Sequence, residues 1–100
     1  MWHGITSRSK ADAYTSFLEQ RAVPDYRSVA GNLSVAVLRR DEAEVTHFLT
    51  VTYWESEESI RAFAGDDLLR AKYYPEDQDY LLGFEPLVQH FVVAAIENAV

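Results

Sequence analysis

The spacing of apolar residues predicts the order strand, helix, strand, strand, helix, strand. β-Branched and aromatic residues favour strands at 2–6, 33–40 and 45–54, and an apolar run favours a last strand at 87–95. The polar segment 41–44 is typical of a hairpin turn between the second and third strands. This order predicts an α+β protein with the ferredoxin-like split βαβ (βαββαβ) fold, a four-stranded antiparallel sheet with two helices on one face.

Capping and stop residues delimit the two helices. The first helix has a start similar to a capping box at Ser9, and we expect it to end just before Pro24. Ser56 is a candidate N-cap of the second helix, and Gly65 is its candidate stop. A further short helical turn is expected at 66–74, halted by the proline that follows.

Both faces of the predicted sheet are largely apolar. Along the third strand, Leu49, Val51 and Tyr53 lie on one face, and Phe48 and Trp54 lie on the other. Two helices cover only one face of such a sheet. We therefore expect a second copy of the chain to cover the other face, which predicts a homodimer.

Length, charge and cysteine content exclude several classes of protein. With 100 residues, the chain forms a single domain, 1–100. Nine basic and 16 acidic residues give a net charge of −7, which disfavours nucleic acids and anionic membranes as partners. The chain has no cysteine, and therefore no disulfide, thiolate metal site or cysteine nucleophile. We see no signal peptide or apolar run of membrane-spanning length, so a cytoplasmic location is expected.

The segment 46–60, with 63–66 and 71–74, resembles the antibiotic biosynthesis monooxygenase family of dimeric α+β barrels. Its most specific part is the Trp-x-Ser-x-Glu passage that begins at Trp54, at a strand-to-helix junction. The resemblance covers nearly the whole chain. It implies a barrel-forming dimer with a pocket between the sheet and the helices of each subunit.

The chain departs from the family at positions that carry chemistry. The family's cofactor-free monooxygenases have Asn and Tyr where this chain has Thr50 and Ile60. Its haem-degrading branch has Trp and His where this chain has Phe63 and Tyr73, and the first strand here lacks that branch's Asn. We therefore expect no haem, and no other cofactor.

Three residues are candidates for catalytic roles, each with a structural alternative. Trp54 is expected to stack on an aromatic substrate, or else to be a core anchor. His90 is a candidate base, or else a hydrogen-bonded core histidine. Tyr73 is a candidate hydrogen-bond donor, or else a surface or dimer-contact aromatic like its neighbour. The expected substrate-binding residues are Phe17, Phe48, Thr50, Phe63 and Tyr74.

A metal site formed by the three histidines is not expected. Antiparallel pairing of the first and third strands should keep His3 and His47 several residues apart along the sheet. Metal ligands must converge on one ion at about 2.0–2.2 Å.

The preferred hypothesis is a small enzyme that oxidises an aromatic or polyketide-type substrate with O2, without flavin, haem or metal. Removal of a substrate proton would produce an anion that reduces O2 directly, in a dry pocket that orients both. One alternative is a non-oxidative cyclase or isomerase that uses the same pocket. Another is a non-catalytic dimeric ligand-binding or stress-related protein, which the missing Asn and Tyr favour.

Overall fold

A four-stranded antiparallel sheet carries the helices on one of its faces. The computed structural model describes residues 1–72 and 74–97. The strands are β1 (Trp2–Ser7), β2 (Asn32–Asp41), β3 (Val45–Trp54) and β4 (Leu81–Phe84), in the order β2-β3-β1-β4. Each neighbouring pair is antiparallel, which confirms the predicted α+β ferredoxin-like fold.

The first helix continues past Pro24, so its predicted end is wrong. Helix α1 (Ala11–Phe17) leads through a π-helical segment, Leu18–Ala22, into α2 (Val23–Arg27). The N–H of Val23 donates to the carbonyl of Leu18, one residue further back than in an α-helix. Pro24 then falls in the first turn of α2, where its missing N–H costs little.

Helix α3 (Glu57–Ala64) begins and ends at the predicted residues. The Ser56 hydroxyl accepts a hydrogen bond from the N–H of Ser59 at 3.3 Å, and Gly65 ends the helix with a φ of 91°. Of the short helical turn expected at 66–74, the described part 66–72 contains one hydrogen-bonded turn, in which the N–H of Arg70 donates to the carbonyl of Asp67 at 3.2 Å, and no helix. A 3-10 turn spans Pro75–Asp79, and Pro75 takes its first position, where the missing N–H of proline costs little.

The last strand lies earlier than the sequence pattern predicts. β4 pairs with β1 at Leu81–Phe84, and the run 87–95 lies outside the named strands. Pro86 has no N–H to donate, so the ladder with β1 is interrupted there. Beyond it, the N–H of Val88 donates to the carbonyl of Leu69 at 2.8 Å, and Phe91 is exposed.

The core lies between the helices and the sheet. Buried residues recur at helical spacing along the first helical stretch and pack on Phe48 of β3: Ala11, Tyr14, Leu18 and Ala22. Tyr14 meets Phe48 edge to face, with ring centroids 5.0 Å apart. These contacts assign the even-numbered residues of β3 to the helical side.

The opposite side of the sheet is called the open face, and its residues include His3, Ile5, Leu38, His47, Leu49, Val51 and Tyr53. Leu38 and Tyr53 remain 49% and 39% exposed, although both are large apolar residues. No helix covers them within the part of the chain that the structure describes.

Candidate functional site

A narrow cleft opens on the helical side of the sheet, beside α3, and we call it the aromatic cleft. Four residues predicted for the site line it: Thr50, Trp54, Phe63 and His90. Tyr26, Arg70 and Lys72 line it as well, and its volume is about 40 Å³. The chain therefore brings together residues from α2, β3, α3 and the segment after β4.

Three aromatic rings form one wall of the aromatic cleft. Tyr26 and Phe63 are stacked, with centroids 4.1 Å apart and planes 17° apart. Trp54 lies 5.8 Å from Phe63, and its indole N–H donates to the Thr52 hydroxyl at 2.8 Å. Because that N–H is already bonded, Trp54 offers its flat face rather than a free donor.

Tyr26 contributes a polar group that sequence reasoning missed. Burial raises the pKa of Tyr26 to about 12, and the charge of Asp25 adds to the effect. The hydroxyl therefore remains protonated at neutral pH and keeps a proton to donate. Its position depends on the continuation of the helix through Pro24, where the sequence pattern predicted a loop.

His90 has a defined tautomer at the rim of the aromatic cleft. Its Nε2 contacts the backbone carbonyl of Leu68, and a carbonyl only accepts hydrogen bonds. The proton of the neutral ring therefore lies on Nε2, and Nδ1 carries the lone pair. His90 is exposed, so the alternative of a core histidine is wrong.

The charged side chains that line the aromatic cleft are basic, although the chain is acidic. Lys72 Nζ lies 4.3 Å from the centroid of the Phe63 ring and donates to Asp25 at 2.8 Å. Hydrogen bonds from Lys72 and then from Tyr74 hold the pKa of Asp25 below its usual value. Arg70 lines the cleft beside Lys72, and no carboxylate lines it among residues 1–72 and 74–97.

The remaining predicted site residues lie elsewhere. Phe48 is fully buried in the core, and Phe17 packs edge to face on Tyr74 with ring centroids 6.1 Å apart. Phe17, Phe48 and Tyr74 are not among the residues that line the aromatic cleft. Tyr74 is only 7% exposed, which makes the surface alternative for it wrong. Tyr73 falls outside the described residues.

A buried carboxylate anchors the segment that precedes β4. Asp77 accepts hydrogen bonds from the Tyr14 hydroxyl at 3.1 Å and from the N–H of Tyr74 at 3.0 Å. Burial raises the pKa of Asp77, and these two bonds partly oppose the shift. The carboxylate thus ties the 3-10 turn to α1, and through Tyr74 it holds the chain that carries Lys72.

A family model described as antibiotic biosynthesis monooxygenase matches residues 6–71. The chain belongs to this family. The matched region includes Tyr26, Thr50, Trp54 and Phe63 of the aromatic cleft, whereas His90 lies beyond it. No curated protein and no solved structure matches the chain.

The two histidines of the open face are in contact, so the expected separation of His3 and His47 is wrong. His3 pairs with Leu49 and His47 pairs with Ile5, which makes the histidines diagonal neighbours. Their nearest ring nitrogens are 3.1 Å apart, beside a hollow of about 290 Å³.

Residues 1–72 and 74–97 lack two other functional features. They contain no group of three or more His, Cys, Asp or Glu placed to hold a metal ion. In the same residues, every helix is too short or too polar to cross a bilayer.

Proposed function

We propose that this member of the antibiotic biosynthesis monooxygenase family oxidises a small aromatic or polyketide-type substrate with O2, in the aromatic cleft and without a cofactor. One observation carries the proposal: a wall of three aromatic rings, the stacked Tyr26–Phe63 pair and the tilted Trp54, shares a cleft with the imidazole of His90, whose Nε2 contacts a backbone carbonyl and leaves Nδ1 to accept a proton. The net charge of −7 and the absence of cysteine suit a cytoplasmic enzyme with a small-molecule substrate.

The proposed reaction uses the substrate as its own reductant. His90 Nδ1 removes a proton from the substrate, and the resulting anion transfers one electron to O2. The substrate radical and superoxide combine to form a C–O bond, and protonation gives a peroxide. For a CH2 group between two aryl rings, cleavage of the O–O bond then leaves a carbonyl and releases water. One oxygen atom enters the product, and the other leaves with the two hydrogens, so the electrons balance.

The basic side chains favour the charged stages of this reaction. Arg70 and Lys72, the latter also paired with Asp25, line the cleft beside the aromatic wall, and in the proposed reaction they stabilise a substrate anion or superoxide. The indole of Trp54 and the stacked Tyr26–Phe63 pair orient a flat ring system. Binding of a polycyclic substrate requires widening, because about 40 Å³ is well below the roughly 300–1,000 Å³ of ligand pockets.

The test is turnover of a panel of anthrones and quinols in air and under strict anaerobiosis, with O2 uptake and product followed together. We expect O2-dependent turnover with one O2 consumed per product. His90→Gln should lower kcat by about 10²–10⁴-fold, the usual contribution of a general base. His47→Gln, on the open face, is the matched control and should retain turnover. Product formation that persists without O2 would contradict oxygenation.

Two alternatives use the same cleft and are separated by the same assay. A non-oxidative cyclase or isomerase would need the His90 base equally and would be indifferent to O2. A non-catalytic ligand-binding or stress-related role is favoured by Thr50 and Ile60, where the family's cofactor-free monooxygenases carry Asn and Tyr. Ligand binding without turnover in either atmosphere would support it.

We also propose that the enzyme is a homodimer through the open face. This face exposes Leu38 and Tyr53, and burial of such apolar surface contributes about 25 cal/mol per Å². Leu38→Glu should shift the sedimenting species from dimer to monomer. Leu69→Glu is the matched control, because Leu69 is 55% exposed but lies outside the sheet. A wild-type monomer at high concentration would rule out the dimer.

A further inference from the structure

Four side chains form one continuous hydrogen-bonded network across the open face: Glu85, His3, His47 and Glu42. Glu85 Oε1 lies 3.3 Å from His3 Nδ1, and His3 Nε2 lies 3.1 Å from His47 Nδ1. His47 Nε2 lies 3.2 Å from Glu42 Oε1. This network crosses the sheet from the residue after β4, through β1 and β3, to the hairpin turn. All four ring nitrogens are engaged.

The two imidazoles meet edge to edge and in line. Their planes differ by 7°, and their centroids are 5.3 Å apart, 2.2 Å more than the 3.1 Å between the facing nitrogens. That excess is close to twice the distance from an imidazole centre to its own nitrogen, so both nitrogens lie on the line that joins the centres. Each lone-pair direction therefore points at the other ring. Two ligands of one metal ion would instead point at a common third position, whereas this arrangement suits a shared proton.

Counting protons fixes the state that satisfies every contact. A carboxylate only accepts, so the nitrogens that face Glu85 and Glu42 must both carry protons. The contact between His3 and His47 needs a proton on one of its two nitrogens. Three N–H groups are required, whereas two neutral rings supply two and two imidazolium rings supply four. Only a His3–His47 pair that holds one proton more than two neutral rings supplies three N–H groups and satisfies every contact of the network.

The surrounding charges favour the same state. The partners of the two rings are Glu85 and Glu42, and Arg40 Nη2 lies 3.4 Å from the second oxygen of Glu42. Arg39 borders the hollow, but its guanidinium is paired with two carboxylates, Asp12 and Asp41. With one extra proton, the two carboxylates balance Arg40 and the imidazolium, so the cluster is neutral. Without it the cluster has a charge of −1, and with a second proton +1.

We propose that the His3–His47 pair is a one-proton site that controls self-association through the open face. Only the singly charged pair presents a neutral, fully hydrogen-bonded surface to a second copy. Loss of the proton leaves a ring nitrogen unpaired against a carboxylate or against the other ring. Gain of a second proton sets two N–H groups against each other at 3.1 Å. Since a two-fold axis would bury this cluster twice, each defect is doubled in the dimer.

The coupling to association rests on the dimer proposed above, whereas the one-proton site does not. Burial of an unpaired polar or charged group disfavours a complex. We therefore expect the dimer dissociation constant to be lowest at intermediate pH. It should rise by at least about tenfold towards both acid and alkaline pH, since even one unsatisfied group in each copy has an effect of that size.

The first measurement is ¹⁵N NMR of the ring nitrogens of the wild-type protein from roughly pH 5 to 9, the range that brackets ordinary histidine titration. We expect both rings to respond together when the first proton binds, and a second step only at lower pH. His90, whose partner is a backbone carbonyl and which lies outside the cluster, is the internal reference. Independent single-step titration of His3 and His47 would overturn the one-proton site.

The second measurement is sedimentation equilibrium over the same pH range for the wild type, His47→Gln and His90→Gln. The wild type and His90→Gln should show the dissociation constant with an intermediate minimum, and His47→Gln should lose it. A dimer whose dissociation constant is unchanged across this range would overturn the control of association and leave the dimer intact. A protein that is monomeric at every pH would overturn both the dimer and the control of association, while the proposed O2-dependent turnover in the aromatic cleft would stand or fall by its own assay.

Discussion

Removal of the Tyr14 hydroxyl tests whether the buried carboxylate of Asp77 anchors the segment before β4. Tyr14 is 1% exposed and donates to Asp77 Oδ1 at 3.1 Å, so Tyr14→Phe preserves the ring packing and removes one hydrogen bond to a charged group. Such bonds contribute about 1.5–3 kcal/mol. In a domain of this size, a loss of about 2 kcal/mol lowers Tm by roughly 8–16 °C. Urea and thermal unfolding, followed by circular dichroism, measure both quantities.

The pH dependence of the Tyr14→Phe effect gives a second, independent readout. The pKa of Asp77 is raised in the folded protein, so its ionised form is disfavoured by folding and stability falls as pH rises from the unfolded pKa through the folded one. The Tyr14 bond opposes this loss, so Tyr14→Phe should cost more at pH 7 than below the folded pKa of Asp77.

Tyr80→Phe is the matched control for this prediction. Tyr80 packs on Tyr14 with centroids 5.3 Å apart, and its hydroxyl has no hydrogen-bond partner among residues 1–72 and 74–97. This change should cost less than about 0.5 kcal/mol. Equal losses for the two variants, or a Tyr14→Phe loss that is independent of pH, would refute the role assigned to the buried bond.

Two further predictions concern backbone and surface charge. Gly31→Ala should destabilise by more than about 1 kcal/mol, because φ is +90° and the new Cβ would lie 1.9 Å from Ser59 Oγ. Gly65→Ala, with a φ of +91° and open space around it, should lose clearly less in the same urea titration, and equal losses would show that Ser59 moves aside. Lys72→Met should cost about 0.2–1 kcal/mol at pH 7, because it removes the partner of the partly exposed Asp25. Since the pKa of Asp25 is lowered in the folded state, the ion-pair part of that loss should vanish at a pH below this pKa, and a loss that does not change with pH would contradict the ion pair.

The first two thirds of the fold follow from local sequence signals. β3 has its predicted bounds, because a polar turn at 41–44 and a strand-to-helix junction at Ser56 delimit it on both sides. The helix through Pro24 was missed because proline ordinarily ends a helix, and a π-helical segment is not visible in apolar spacing. The position of Tyr26 in the aromatic cleft was missed with it.

The last third depends on tertiary competition that the sequence pattern does not show. The run 87–95 is longer and more apolar than 81–84, so periodicity favoured it as the last strand. Pairing with β1 instead selects Leu81–Phe84, and Pro86 interrupts the ladder beyond it. His90 nevertheless reaches the same cleft as Trp54, although from a different element than predicted.

The register of β1 against β3 explains why the histidine pair was missed. Full-length antiparallel pairing would set the start of β1 beside the end of β3 and keep the histidines several residues apart, whereas Trp2 pairs with Thr50 and Ser7 pairs with Val45. That displacement of a few residues moves His3 from the far end of the strand to a place next to His47. Strand order is readable from element order, but register is set by packing of the buried face, here Gly4 against Phe48.

Alternation along β3 separates the two proposed activities of the molecule. Thr50 and Trp54 face the helices and line the aromatic cleft, whereas His47 and Leu49 face the other way and border the hollow of the open face. Sites on opposite faces that share no side-chain partner should respond additively to substitution. A protein with both His47→Gln and His90→Gln should therefore show the turnover defect of one variant and the association defect of the other. A double variant whose turnover differs from that of His90→Gln alone would mean that the two faces of the sheet are coupled.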